Sequence, residues 1–181
     1  MSDIFVDNIK HQSSQGSGTI TLGASGETVA LASGAKVSNL NGQVAPAFSV
    51  VLSSDQTVAT STWTKMNFDS EILDSDSAFN TTDKQFVVPS GKAGKYLIFA
   101  QLYRNFSTNG TNIRGAITKN DSRVITSIFT DGQGIANSAI VSAVMNLVVG
   151  DTIHIETFQD RGSDEGYSAA NNQFYGYRIA I

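Results

Sequence analysis

The stretch Tyr96-Leu-Ile-Phe-Ala-Gln-Leu-Tyr103 narrows the fold of this chain more than any other. As a strand it sets Tyr96, Ile98, Ala100 and Leu102 on one face and Leu97, Phe99, Gln101 and Tyr103 on the other, because successive side chains alternate. Both faces are largely apolar, whereas a strand with one wet side alternates apolar with polar. Such a strand needs cover on two sides. No segment has a convincing helical pattern, so the cover has to come from a second sheet or from another subunit. The run from Ala139 to Val149 poses the same demand, with Ala139, Val141, Ala143, Met145, Leu147 and Val149 opposing Ile140, Ser142, Val144, Asn146 and Val148. The expectation is a β-sandwich that is also an oligomer.

A chain of 181 residues, 40% hydrophobic and 15% charged, suits one compact domain with a modest appendage. Gly, Ser, Thr and Asn are abundant, which favours strands and tight turns over solvated helices. The formal net charge of −4 gives no excess of Lys and Arg with which to neutralise a phosphate backbone, so nucleic acid is not expected as a partner. With no cysteine, neither a disulfide framework nor a thiolate metal site is available. Met1-Ser-Asp-Ile-Phe lacks the basic start and apolar core of a secretory signal, and no stretch approaches the length of a membrane span. The chain is therefore expected to be made in a cytoplasm and not to insert in a membrane.

Residues 3–12 read as a short strand or as a peptide that lies along a neighbour. After a polar, Gly-rich break from Ser13 to Gly18, a weak repeat of nine residues follows: Ile20-Thr-Leu22, Val29-Ala-Leu31 and Ser38-Asn-Leu40, each before a small-residue turn. Such short strands become stable when copies from several chains wrap around one axis, the alternative being a flexible linker. Composition changes at Ala45-Pro46, which divides the chain into an attachment or stalk segment, 1–45, and a head, 46–181. In the head, strands are expected near 47–52, 62–67, 85–88, 95–106, 112–119, 122–130, 136–148, 152–159 and 173–181. Lys119-Asn-Asp-Ser reads as a tight hairpin, and Val149-Gly-Asp-Thr as a turn between two apolar runs.

Pro46-Ala-Phe-Ser-Val50, Phe86-Val-Val-Pro89 before Gly94-Lys-Tyr96, Leu147-Val-Val-Gly-Asp151 and the closing Phe174-Tyr-Gly-Tyr-Arg-Ile179 stand in an order and spacing that resembles one known domain. It is the jelly roll shared by the globular head of complement component one subunit q and the tumour necrosis factor family. The resemblance implies an all-β jelly-roll sandwich of about ten strands, assembled as a homotrimer with its second apolar faces on the threefold axis. On that reading Tyr96, Phe99, Tyr103, Val144, Phe174 and Tyr177 divide between sandwich core and subunit contact.

Phe5-Val-Asp-Asn-Ile, Gly18-Thr-Ile-Thr-Leu22 and Ala32-Ser-Gly-Ala35 resemble the opening of structural proteins of tailed bacteriophages, fibre-like ones above all. In those proteins the N-terminal part attaches to the virion and the C-terminal domain projects outward. The resemblance implies that Ile4, Phe5, Val6 and Ile9 take part in attachment to other virion proteins. The whole then reads as a virion structural protein, a fibre, tail appendage or capsid decoration, whose exposed trimeric head meets a host glycan or surface protein. The alternative is a soluble bacterial trimeric lectin or adhesin.

Little in the sequence points to catalysis. His11 and His154 are the two histidines, and neither a Gly-X-Ser-X-Gly elbow nor a His-Glu-X-X-His motif occurs. His154, out of phase with Ile153 and Ile155, reads as a surface or interface residue. Asp160, Asp164 and Glu165 are the carboxylates a glycoside hydrolase would need, but no enzyme is expected. The same cluster, Asp160-Arg-Gly-Ser-Asp-Glu165, offers hard oxygens without an established calcium-loop spacing, and some complement-like relatives bind calcium near the trimer top. Calcium is thus a candidate ligand, a solvated acidic loop the simpler reading, and no cofactor is expected. Recognition is the activity the loops favour: Asn105, Asn109 and Asn112 in one, Asp160, Asp164, Glu165 and Tyr167 in the other, provide adaptable hydrogen bonds beside an aromatic ring.

Overall fold

A computed structural model describes residues 46–104, 112–130 and 137–180, all within the second of the two units into which the chain divides, Asn41–Ile181. The expected strand and repeat of residues 1–45, with Ile4, Phe5, Val6, Ile9 and His11, lie outside the described residues, as do Asn105 and Asn109.

Among the described residues thirteen strands form two antiparallel sheets: β1 (Ala47–Val51), β2 (Gln56–Val58), β3 (Thr64–Lys65), β4 (Ser70–Asp74), β5 (Phe79–Asn80), β6 (Gln85–Val87), β7 (Gly94–Arg104), β8 (Asn112–Lys119), β9 (Ser122–Thr130), β10 (Asn137–Leu147), β11 (Thr152–Gln159), β12 (Glu165–Tyr167) and β13 (Gln173–Ala180). In the first sheet β7 is bonded to β10 along one edge and to β13 along the other, β13 to β1, and β1 to β4. β12 meets the last residue of β7, Arg104, and pairs with β2. The second sheet runs β5-β6-β11-β8-β9, with β3 also beside β11.

β7 settles the arrangement as its two apolar faces require. Tyr96, Ile98, Ala100 and Leu102 point inward and are fully buried. They meet a core in which Phe48 lies against Phe86 and Phe174, ring centroids 4.6 and 4.9 Å apart, and Phe174 lies against Phe68 and Phe79. Burying rings of this size stabilises the sandwich by about 2–3 kcal/mol each. Gly176 lets β13 run through this crowded centre: a Cβ there would stand 2.8 Å from Ile98 Cδ1 and 2.9 Å from Phe48 Cε1.

Two turns form for the reasons their residues suggest. Asn120 and Asp121 both take positive φ, 48° and 61°, the mirror-image turn that matches the twist of a hairpin. Gly150, φ 85°, carries the chain from β10 in one sheet to β11 in the other. Asp151 then joins the two turns. Its carboxylate accepts from Val148 N and Asn120 Nδ2, each at 2.8 Å, and pairs with Lys119 Nζ at 2.8 Å.

The expected strand at 62–67 shortens to Thr64–Lys65, because Ser61, φ 55°, turns the chain just before it. Four strands were not expected: β2, β4, β5 and β12. They are two to five residues long; β2 and β12 pair with each other from far apart in the chain, β4 pairs with β1, and β5 with the adjacent β6.

Candidate interaction surfaces

The face of the first sheet that points away from the core is the larger candidate. Its rows follow from the register: Val144, Leu97, Tyr177 and Ala47 lie side by side across four strands, then Ser142, Phe99, Tyr175, Ser49 and Leu73 across five, then Ile140, Gln101, Gln173 and Val51. Val144 is 60% exposed and Ile140 and Tyr177 are also exposed, while Phe99 and Tyr103 are half-buried. At the β4 edge a register shift between Ser49 and Val50 leaves Ile72 and Leu73 exposed together. A contiguous apolar face of this kind is uncommon on a monomer.

The second candidate is β9, the last strand of the second sheet. Ile128 is exposed on its outer side, and Ile125 and Phe129, which face toward the first sheet, are exposed because they stand at its rim. The two surfaces differ in composition and place. Of the six residues that the sequence divides between core and subunit contact, Tyr96 and Phe174 are core, and Phe99, Tyr103, Val144 and Tyr177 are on the outer face.

At the end of the sandwich where β7 stops, Asn112 and Asp160 hold one another. Asn112 N donates to Asp160 Oδ1 at 2.7 Å and Nδ2 to Oδ2 at 2.6 Å. Burial pushes the Asp160 carboxyl up, but these bonds outweigh it and hold it below the usual carboxylate range. Asp164 is exposed.

Glu165 and Tyr167 do not belong to an exposed recognition loop. They form the inward positions of β12 and are buried. Arg104 Nη1 donates to Glu165 Oε2 at 2.8 Å with both side chains fully enclosed, and Arg161 Nε lies 3.4 Å from the other oxygen. The Tyr167 hydroxyl bonds Thr157 Oγ1 at 2.9 Å. Burial pushes its phenol up to about 12, against the pull of that bond. The signal for this was Arg104 itself: it continues the inward phase of Tyr96, Ile98, Ala100 and Leu102, and a charge at an inward position needs a buried partner. The acidic cluster thus splits, Asp160 to Asn112 and Glu165 to the two arginines. Among the described residues no three His, Asp or Glu side chains meet as a metal cluster.

His154 points outward as its phase requires, but it is 3% exposed and not a surface residue. Sequence phase gives direction; the long side chains of neighbouring strands give cover. The outer face around it also carries an arrangement that the sequence did not reveal, in which Arg123 lies over Trp63, Trp63 against Phe158, and Phe158 under Arg114.

Two antiparallel sheets closed face to face, with β7 and β10 covered on the core side, define a jelly-roll sandwich. The C1q domain family matches residues 47–179, and the chain belongs to that family. Solved structures agree in fold. The globular domain of zebrafish complement 1qA protein is 19% identical with a TM-score of 0.56, covering 74% of this chain and 96% of its own. Murine APRIL at pH 5.0 is 13% identical with a TM-score of 0.58, covering 76% and 99%. Eiger TNF from S. frugiperda is 14% identical with a TM-score of 0.54, covering 77% and 94%. No curated protein matches the chain.

Proposed function

We propose that the chain works as a homotrimer whose C1q-type head is a binding module, carried on a phage particle by residues 1–45. The observation behind assembly is the outer face of the first sheet, where the exposed Val144 and Tyr177 flank the half-buried Leu97 and adjoin the row of Phe99 and Tyr175. Its natural counterpart is the β9 edge with Ile125, Ile128 and Phe129. Two unlike surfaces make a head-to-tail contact, and such a contact closes into a ring when each copy rotates by a fixed angle. Three copies satisfy both surfaces of every chain.

Binding rather than catalysis is supported by where the acidic side chains go, since Asp160 and Glu165 are held by their own neighbours. The end of the sandwich where Arg104, Asn112 and Asp160 lie is the contact zone for a host glycan or surface protein. Three weak contacts there would add into useful avidity. The virion assignment rests on the N-terminal resemblance.

Light scattering of the full chain tests assembly, with three times the 19.2 kDa chain mass expected. A monomer at micromolar concentration overturns it. Antibody against the head should label intact particles of the phage that encodes the chain. Unlabelled particles, together with glycan-array binding by the free protein, would instead mark a soluble lectin.

A further inference from the structure

His154 sits on β11 between the inward-facing Ile153 and Ile155, pointing away from the core yet enclosed. Its cover is polar. Thr118 of β8 lies beside it in register, and the charges it meets are Lys65 of β3, Glu156 of its own strand and Asp121 of the β8–β9 turn. β6 contributes the neutral Gln85, which accepts from Lys65 Nζ at 3.3 Å. Nδ1 of His154 is buried with no hydrogen-bond partner, and Nε2 is 3.9 Å from Glu156 Oε1, within reach of charge attraction but too far for a hydrogen bond.

Glu156 is already engaged. Its Oε2 takes the Arg123 Nε–H and, at 3.4 Å, the Thr118 hydroxyl. Arg123 in turn lies over the Trp63 ring, 4.6 Å from its centroid. Arg123 belongs to β9, the edge strand, and Trp63 to the segment entering β3 on the other side of β11. The Trp63, Arg123 and Glu156 contacts therefore straddle the β8–β11 pair and hold the edge strand from the outside.

We propose that these contacts are an acid-sensitive latch on β9: a proton taken up from solvent by His154 draws Glu156 away from Arg123 and opens the Arg123–Trp63 stack. As packed, the site does not accommodate an imidazolium. The second ring N–H would be buried without an acceptor, and Lys65 repels the new charge. Glu156 is the nearest relief, at 3.9 Å. Arg123 is the member that leaves most easily, since its side chain is 43% exposed and water replaces its partner. Burial above all, and then Lys65, hold the His154 pKa below the ordinary 6.5, so the latch is closed at neutral pH and opens in acid.

Trp63 is the one tryptophan of the chain, which makes its fluorescence a direct reporter. Titrating the full chain from about pH 8 into acid as far as it stays folded should give a single red shift of emission below the ordinary imidazole range, lost in His154→Gln. Glu156→Ala, which leaves Arg123 without that acceptor, should show the shifted emission across the whole range. Because His11 and His154 are the two histidines, a His11→Gln chain leaves one imidazole signal in NMR, and its midpoint should coincide with that of Trp63 even if His154→Gln fails to fold. A Trp63 transition that survives in a folded His154→Gln chain, or a His154 titration that leaves Trp63 emission unchanged, overturns the latch. The edge it holds is also one of the two surfaces assigned to assembly, so any acid-linked fall in mass rests on the trimer reading. A chain monomeric at neutral pH overturns that reading and leaves the fluorescence comparison intact.

Discussion

Phe99 and Tyr175 lie ring on ring across neighbouring strands, centroids 4.7 Å apart and planes 20° from parallel, on the side of the sheet that faces away from the core. Stacked aromatics at the centre of an outer face serve an interface better than they serve water. Replacing Phe99 by Asp puts a charge at that centre without touching the buried set of β7. The expected outcome is a folded chain with a near-parent circular-dichroism spectrum and the mass of one subunit by light scattering. Val144→Asp, in the adjoining row, should act in the same direction. A trimer of unchanged melting temperature from either variant would remove this face from the assembly.

Gly176 carries a different kind of constraint. Its φ is not unusual, so conformational freedom is not the reason for glycine; the reason is space. A Cβ would meet Ile98 Cδ1 and Phe48 Cε1 at under 3 Å, and Leu97 O at 3.0 Å. Side-chain tips can shift, but the backbone oxygen sits in the ladder between β7 and β13. Gly176→Ala should destabilise the chain by about 1–3 kcal/mol in urea unfolding. Gly150→Ala should cost a smaller amount through its positive φ alone, since nothing lies within 4 Å of the Cβ position there.

How much of this could be read in advance depends on the range of the interaction. The two faces of β7 and β10, the Asn120-Asp121 hairpin and the Gly150 turn are written in residues adjacent in the chain, and each was legible. β2, β4 and β12 were not, because so few residues become a strand only when a partner well away in sequence presents its edge, and β5, whose partner β6 is close by, is two residues and too short to show a pattern. The exposed pair Ile72 and Leu73 depends on a register shift in β1–β4 pairing, which alternation does not encode. Glu165 and Tyr167 look like loop residues until Arg104 is seen to need a buried anion. His154 shows the same gap, since its cover comes from side chains on other strands.

The Arg104–Glu165 pair should behave as a coupled unit. Both side chains are fully enclosed, so removing Arg104 leaves the buried Glu165 carboxylate with the longer Arg161 contact at 3.4 Å in place of its short bond. Arg104→Met is expected to cost about 3–5 kcal/mol, and Glu165→Gln less, because the amide oxygen still accepts from Arg104. The double replacement Arg104→Met with Glu165→Leu should recover part of the loss, since an apolar pair of similar volume has no desolvation penalty to offset. Urea denaturation of Arg104→Met, Glu165→Leu and the double variant gives the coupling directly. Additive losses would mean that the pair does not act as one.

Asp151 should contribute to the acid limit of the fold, beside Asp69, Asp76 and Asp160, whose carboxyls are also held low. Burial raises its pKa, but Lys119, the Val148 amide and Asn120 together outweigh burial and hold it below the ordinary 3.8. A carboxyl depressed in the folded state contributes stability that is fully present above its unfolded value and is lost as pH falls through the folded one. The loss therefore begins near pH 3.8 and deepens below it, while nothing changes from this group at neutral pH. Asp151→Asn keeps the shape and removes the charge. It should lower the melting temperature at neutral pH, where Lys119 loses its partner at 2.8 Å, and flatten the acid limb, so that parent and variant converge as the parent carboxyl is protonated. Melting curves of the two proteins across the acid range decide it: parallel curves with no convergence would show that the junction of the two turns is held by its backbone bonds and not by the carboxylate.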